Sequence, residues 1–161
     1  YKLENGNLTV GGGPQVGKGS RTFVVENGDL IINSNIEYED TDFGIDSIKE
    51  IPSIAFIVIN GNIRISKNVT KLSGVFITLN MGKAGTGKIT SADNESTVNQ
   101  LLIEGSVYGD IEPLFEKRIY AGGNPLLGEG SIVINYDGRL FYNLPPGLKE
   151  ILEKESEQVV R

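Results

Sequence analysis

Apolar residues along this chain come in short runs, and a recurring phrase of Asn or Glu followed by Gly interrupts them. The phrase has apolar residues on both sides and occurs at 3–8, 25–30, 58–63 and 102–107, with a less regular copy at 136–140. The runs themselves alternate or are nearly continuously apolar, as strands covered on one or both faces are. Repeats of this kind mark units that bury an apolar face only by stacking on one another. The pattern predicts short strands joined by tight bends.

Two architectures place an Asn-Gly pair between apolar segments. In the first, the pair is the two-residue turn of a β-hairpin, with Val58 facing Ile63 across antiparallel strands. Hairpins of this type would build an antiparallel β-sandwich. In the second, Gly marks a corner of a solenoid, and the next turn of the chain stacks parallel to the last.

Three features favour the solenoid. Residues 27–36 match 60–69 well beyond the bend, and the apolar run at 55–59 is echoed at 74–79, about 19 residues later, a plausible length for one coil. The run at 54–59 is almost wholly apolar, as parallel strands covered on both sides are. The sequence therefore predicts an all-β fold, a single-stranded right-handed parallel β-helix (solenoid), with the sandwich as the alternative. The residues predicted to share its core are Leu30, Ile32, Ile63, Ile65 and Val107.

The pattern changes near the end of the chain. After Pro145-Pro146-Gly147, the apolar residues Leu148, Ile151 and Leu152 have helical spacing among charged ones. We expect residues 1–147 to form the solenoid domain, with loop insertions near 38–50, 80–97 and 116–130. Residues 148–161 are then a short amphipathic helix, which either caps an open end of the solenoid or serves as a linker that contacts a partner.

Composition and charge exclude several functions. The formal charge of −6 and the pI near 4.7 argue against nucleic-acid binding, which needs a cationic face. Absence of Cys and His removes thiolate sites, the commonest metal ligand and the commonest general base. No apolar run approaches the roughly 18 residues of a membrane span, so membrane contact is expected only through a segment outside this sequence. We therefore predict a protein without a cofactor and without enzymatic activity.

Two segments resemble ligand loops. Residues 82–88 have the glycine and lysine spacing of a phosphate-binding loop, but Ile89 stands where that loop needs a Mg²⁺-binding Ser or Thr. An acidic stretch offers weak calcium candidates in Asp40, Asp42 and Asp46, although its spacing does not fit a helix-loop-helix calcium site. A solvated acidic loop is the simpler interpretation, and no metal site and no catalytic residue are predicted.

Aromatic residues give one further candidate. Tyr108, Tyr136 and Tyr142 could stack on sugar rings, whereas strand aromatics more often pack in a core or across strands. Carboxylates are numerous, but no pair of them recurs on an identifiable strand face, as sugar cleavage would require. Glycan binding is thus an alternative function, and glycan cleavage a weaker one.

Residues 56–77 and 100–109 carry a resemblance. Their strand rhythm resembles the right-handed parallel β-helix regions of bacterial cell-surface proteins, which include chains with pilin-like anchors, and it is comparable to that of the polymer-forming bactofilins. The resemblance covers about 51–147 and is one of rhythm, so it carries no catalytic residue. It implies an extracellular or cell-surface location.

These observations lead to a functional hypothesis. We expect a non-enzymatic extracellular structural or adhesive module of a cell surface, pilus or filament, and the alternative is a glycan-binding or glycan-cleaving β-helix protein. The partners expected are other copies of the chain, joined through the solenoid ends to form a homo-oligomer or filament, and a surface glycan. The acidic insertion and the C-terminal helix depart from the bactofilin pattern, which argues against an intracellular filament.

Overall fold

The computed structural model describes residues 1–39, 47–119 and 130–148, and within these ranges the strands form three sheets. The large sheet contains, in spatial order, β1 (Lys2–Glu4), β4 (Ser20–Glu26), β7 (Ser53–Ile59), β9 (Lys71–Leu79), β11 (Leu101–Tyr108) and β12 (Ile132–Asn135). The small sheet contains β10 (Ile89–Ser91), β8 (Ile63–Ile65), β5 (Leu30–Ile32) and β2 (Leu8–Val10). The third sheet pairs β3 (Gln15–Val16) with β6 (Glu37–Tyr38). Helices α1 (Glu112–Phe115) and α2 (Arg139–Tyr142) and a 3₁₀ turn (Ile48–Glu50) are short.

The predicted single-stranded right-handed parallel β-helix is wrong, and so is the description of the chain as a repeat solenoid. The strands belong to three separate parallel sheets of six, four and two strands that pack together. The repeated phrase misled because the segments between its copies differ in strand content: after β8 the chain returns directly to the large sheet, so the third sheet stops at two strands. The sandwich alternative is also wrong, since Val58 and Ile63 lie in different sheets and the strand pairs of the described residues are parallel.

Three copies of the phrase form what we call the Asn-Gly bends, namely Asn5-Gly6, Asn27-Gly28 and Asn60-Gly61. Each bend connects a strand of the large sheet to a strand of the small sheet. All three asparagines have φ of 56°, the left-handed region that Asn adopts more easily than most residues. Because the strands before and after the bends are paired in register, the bends lie directly over one another.

The main core lies between the inner faces of the large and small sheets. Four of the five predicted core residues, Leu30, Ile32, Ile63 and Ile65, lie on the small sheet and are at most 2% exposed. The fifth, Val107, lies on the large sheet and packs against the same core while only partly buried. Alternate residues of the large sheet complete it because successive strand side chains point to opposite faces. They are Val25, Ile54, Phe56, Val58, Leu72, Phe76, Leu101 and Ile103.

The outer face of the large sheet is apolar too, and the C-terminal segment 137–148 covers part of it. Leu140 and Leu148 of this segment pack on a second cluster that includes Ala55, Ile57 and Ile77. Covering both faces explains why the run at 54–59 is continuously apolar. Two hydroxyls tie the segment down at long sequence separation. They are Thr22 Oγ1, which donates to the Pro146 carbonyl at 2.5 Å, and Ser53 Oγ, which donates to the Asn143 carbonyl at 2.5 Å.

The two ends of the sheets differ. At the far end, α1 packs against β10 through Leu114, which is fully buried. At the near end, the three residues of β1 are exposed. Beyond Leu148, the predicted C-terminal helix lies outside the described residues, as do parts of the predicted loops 38–50 and 116–130, while the loop predicted at 80–97 contains β10. No helix of the described part is long and apolar enough to span a membrane.

Candidate binding groove

A groove of about 500 Å³ lies on the outer face of the large sheet, beside the C-terminal segment. Strands β9 and β11 form its floor, and the segment that includes α2 forms its wall. The floor residues are Val75, Ile77, Leu79, Ser106 and Tyr108, and Val107 adjoins them on β11 while its side chain packs against the main core. The wall residues are Tyr136, Leu140, Phe141, Leu144 and Leu148. Apart from Ser106 and the two tyrosine hydroxyls, these side chains are hydrocarbon. The groove is therefore a mainly apolar surface on the large sheet.

Strand register explains how the floor is built. Ala55, Val75 and Ser106 are register partners across three neighbouring strands, and Ile57, Ile77 and Tyr108 form the next such row. The C-terminal segment covers the β7 and β9 parts of both rows, where Val75 and Ile77 are 7% and 5% exposed, and leaves the β11 end open, where Tyr108 is 54% exposed. The groove is the uncovered part of an otherwise buried apolar face.

Helix α2 positions the wall. Its start is held by Asp137, whose Oδ1 accepts a hydrogen bond from the Arg139 N–H at 3.0 Å. Leu140 points into the sheet and is 5% exposed, whereas Phe141, the next residue, is 79% exposed at the groove. One turn of helix thus anchors the segment with one side chain and presents an aromatic ring with the next.

Two of the three tyrosines predicted from the sequence lie in the groove. Tyr108 is on the floor and Tyr136 on the wall, although they come from segments with no shared pattern in the sequence. Tyr142 is outside the lining, and its ring contacts the edge of Phe141 with centroids 5.7 Å apart. The calcium candidates Asp40, Asp42 and Asp46 lie outside the described residues. Sequence reasoning missed the aliphatic floor, whose only signal was the apolar run in β9.

A partly buried polar cluster lies beside α2. The Arg139 guanidinium lies 5.1 Å from the centre of the Tyr38 ring and 3.6 Å from Asp137 Oδ2. Burial, and then the Asp137 carboxylate, raise the pKa of Tyr38 to about 12. The Tyr38 hydroxyl is buried beside the Ile54 backbone without a hydrogen bond of good geometry, and Asp137 Oδ2 is buried without a hydrogen-bond partner among the described residues. The Tyr38 hydroxyl therefore stays protonated at neutral pH, and the cluster attaches α2 to β6 by a cation–π contact.

The remaining candidate chemistry finds little support in the geometry. Residues 82–88 lead into strand β10, whereas a phosphate-binding loop leads into a helix whose N-terminus faces the phosphate. Among the described residues, no group of three or more carboxylates that could hold a metal ion occurs. The groove is the feature whose geometry most resembles a binding site, because small-molecule and peptide sites are concave and mainly apolar.

Comparison of the chain with protein-family models, with curated proteins and with solved structures gave no match. The resemblance to bacterial cell-surface proteins therefore stays a prediction.

Proposed function

We propose that this chain is a non-enzymatic structural module that holds another protein, and that the groove binds an apolar segment of that partner. The observation that carries the proposal is the open end of the outer apolar face, where the half-buried Leu79 and the exposed Leu144 adjoin the exposed ring of Phe141. Apolar area that a fold leaves open beside a rigid sheet favours association, at roughly 25 cal/mol per Å² buried. Extracellular location stays a prediction from the sequence.

The lining argues for an apolar segment over a sugar. A sugar site combines aromatic faces with several hydrogen-bonding side chains, whereas Ser106 and the hydroxyls of Tyr108 and Tyr136 are the polar side-chain groups of this lining. Aliphatic side chains of the floor would desolvate sugar hydroxyls without replacing their hydrogen bonds. The glycan alternative is therefore less well supported than a protein segment.

Two neighbouring aromatic residues allow a matched test. Phe141 lines the groove and Tyr142 does not, yet both are on α2 and both are well exposed, at 79% and 66%. We expect the apolar dye 8-anilinonaphthalene-1-sulfonate to bind the intact chain, Phe141→Ser to weaken binding severalfold, and Tyr142→Ser to leave it unchanged. Fluorescence titration measures all three.

The same variants separate the protein-segment proposal from its alternative. A library of displayed peptides selected on the intact chain should yield apolar sequences whose binding Phe141→Ser abolishes and Tyr142→Ser preserves. Retardation of the chain in gels that contain neutral or acidic polysaccharides, lost in Phe141→Ser, would instead support glycan binding. Equal dye binding by both variants would show that the groove is not the apolar site.

A further inference from the structure

Strand β11 has a partner strand on its β12 side over only the first half of its length. β12 pairs with residues 101–104 and ends at Asn135, the register partner of Glu104. On the other side, β9 pairs with β11 as far as Tyr108. The chain leaves the sheet after β12, and Tyr136 lies on the wall of the groove. Within the described ranges, residues 105–108 of β11 therefore form an open edge of the large sheet.

The backbone groups along β11 alternate in direction. The Leu102 N–H donates to the Thr70 carbonyl at 2.9 Å, toward β9, and the Leu101 N–H donates to the Ser131 carbonyl at 3.0 Å, toward β12. The register between β9 and β11 is constant from 102 to 108, so odd-numbered residues of β11 keep facing the β12 side. The N–H and C=O of Val107 thus point to where β12 would continue. In the described part of the chain, neither group has a hydrogen-bond partner.

Exposure along β11 follows the same division. Leu101 and Ile103 lie beside β12 and are 0% and 1% exposed, whereas Val107, on the same inner face, is only partly buried. Val107 packs against the main core, as Ile132 of β12 does. A further strand beside residues 105–108 would cover the exposed part of Val107, because neighbouring strands lie about 4.8 Å apart.

This edge opens directly into the groove. Ser106 and Tyr108 are the last members of the two outer-face rows that form the floor. A further strand would lengthen each row by one residue, and its alternate side chains would lie at the open end of the floor. Because the lining of the groove is mainly apolar, these alternate side chains should be apolar as well.

We propose that the partner segment binds in an extended conformation, as an additional strand of the large sheet beside residues 105–108 of β11. Main-chain hydrogen bonds to Val107 hold the segment, and apolar side chains at alternate positions enter the groove. A helix could fill the groove, but it would leave the N–H and C=O of Val107 without a partner. The inference rests on the proposed function, because it takes the occupant to be a protein segment, and it adds the conformation and the side-chain pattern of that segment.

A peptide with the sequence of residues 71–79 is a suitable probe. It is the sequence of β9, which pairs with β11 on its other side and carries Val75, Ile77 and Leu79 at alternate positions. Labelled with fluorescein, it should bind the intact chain saturably in an anisotropy titration. Val107→Pro removes the N–H that faces the edge, where proline is tolerated, and should weaken peptide binding about fivefold or more. Val107→Ala keeps this N–H and is the matched control, with binding within about twofold of the parent.

Two isomeric peptides make the test independent of how a variant folds. One carries N-methyl groups on Val75 and Ile77, and the other carries them on Phe76 and Thr78, so each lacks the N–H groups of one edge of the strand. Only one edge of an added strand faces β11. One isomer should therefore bind the intact chain like the unmodified peptide, and the other about tenfold more weakly or less. Equal binding by the two isomers, or no binding of the unmodified peptide, would overturn the proposal.

Phe141→Ser separates this inference from the proposed function, and the two together predict weaker peptide binding in both Phe141→Ser and Val107→Pro. Loss in Phe141→Ser alone, with Val107→Pro shown by urea unfolding to be folded, would keep the groove and overturn the added strand. Loss in Val107→Pro alone would support the strand and overturn the groove. Self-association of the chain that Val107→Pro abolishes would make a second copy the occupant and contradict the partner proposed here.

Discussion

The first Asn-Gly bend and the two interior bends have the same conformation in different surroundings. Asn5, Asn27 and Asn60 share φ of 56°. A Cβ added to Gly28 or Gly61 would collide with the carbonyl of the preceding bend, whereas one added to Gly6 would meet only Leu3 Cδ1, at 4.0 Å. All three bends keep these backbone angles, although the first contacts a described neighbour on one side only. Stacking then determines how much stability each copy contributes and how strictly its residues are required.

This comparison predicts that a charge placed in the core beside an interior bend lowers the free energy of unfolding most. Ile63 follows the third bend and is fully buried, so Ile63→Asp should place an unpaired carboxylate in the main core. We expect a loss on the order of 5 kcal/mol in the free energy of unfolding, about the total stability of a small domain. Thr9→Asp introduces the same carboxylate on β2 at an exposed position and should have little effect in the same urea titration.

The rings of Phe76, Phe56, Phe23 and Tyr1 stack in one row. Removing a ring from the middle of this row should lower the free energy of unfolding more than removing the last one. Phe56→Ala removes a buried ring with neighbours on both sides and should lower the free energy of unfolding by about 4 kcal/mol. Tyr1→Ala removes the exposed last ring and should cost about 1 kcal/mol or less. Equal losses in thermal unfolding of the two variants would mean that the row does not contribute by stacking.

The bend asparagines offer a smaller contrast. Asn60 Oδ1 accepts from the Met81 N–H at 2.9 Å, and Asn60 Nδ2 donates to Asn27 Oδ1 at 3.4 Å, so Asn60→Ala loses both bonds and also strains a residue with positive φ. We expect a loss of about 2 kcal/mol, and about half of that for Asn60→Gly, which has no strain at this φ. Asn5→Ala has the same strain but loses only a long, exposed hydrogen bond of 3.4 Å from the Asn27 amide. Its loss in the free energy of unfolding should therefore equal that of Asn60→Gly within error. Chemical denaturation of the three variants decides whether this division holds.

Tyr38 gives the smallest effect at neutral pH. Its raised folded-state pKa means that the unfolded chain loses the hydroxyl proton first, so stability should fall as pH rises from about 10 to about 12, by on the order of 2 kcal/mol. Tyr38→Phe should remove this part of the alkaline loss. At pH 7 it should change the free energy of unfolding by less than about 1 kcal/mol, because the buried hydroxyl that it removes makes no hydrogen bond of good geometry. An unchanged alkaline slope in Tyr38→Phe would contradict the assignment.

The sequence predicted the local features better than the sheets. The strands, the bends and the small-sheet core residues were predictable because alternation and the Asn-Gly pair act over a few residues. The division into three sheets was not, since it depends on which connecting segments form strands. The alternation of apolar and polar residues gave no warning that the chain returns directly from β8 to the large sheet.

Most of the groove was also beyond prediction from sequence. Its wall crosses the sheet through contacts such as that between Thr22 and Pro146, which are 124 residues apart. The spacing of apolar residues, every two in a strand or every 3.6 in a helix, gives no signal of such a long-range contact. The apolar run of β9 shows only that both faces of that strand are covered or bind something. Tyr108 and Tyr136 were predicted from the sequence as candidate binding residues. Their positions on the floor and the wall of one groove follow from the fold alone.

The central claim is that each interior bend packs on the bend before it, whereas the first bend is open. Urea unfolding of Gly28→Ala and Gly6→Ala tests this most directly, because the same methyl group is added at equivalent places. Gly28→Ala should lose about 3 kcal/mol, since its Cβ meets the Gly6 carbonyl oxygen at 2.0 Å. Gly6→Ala should be unchanged, or more stable by up to about 1 kcal/mol through the reduced entropy of the unfolded chain. Equal losses in the two variants would contradict the account.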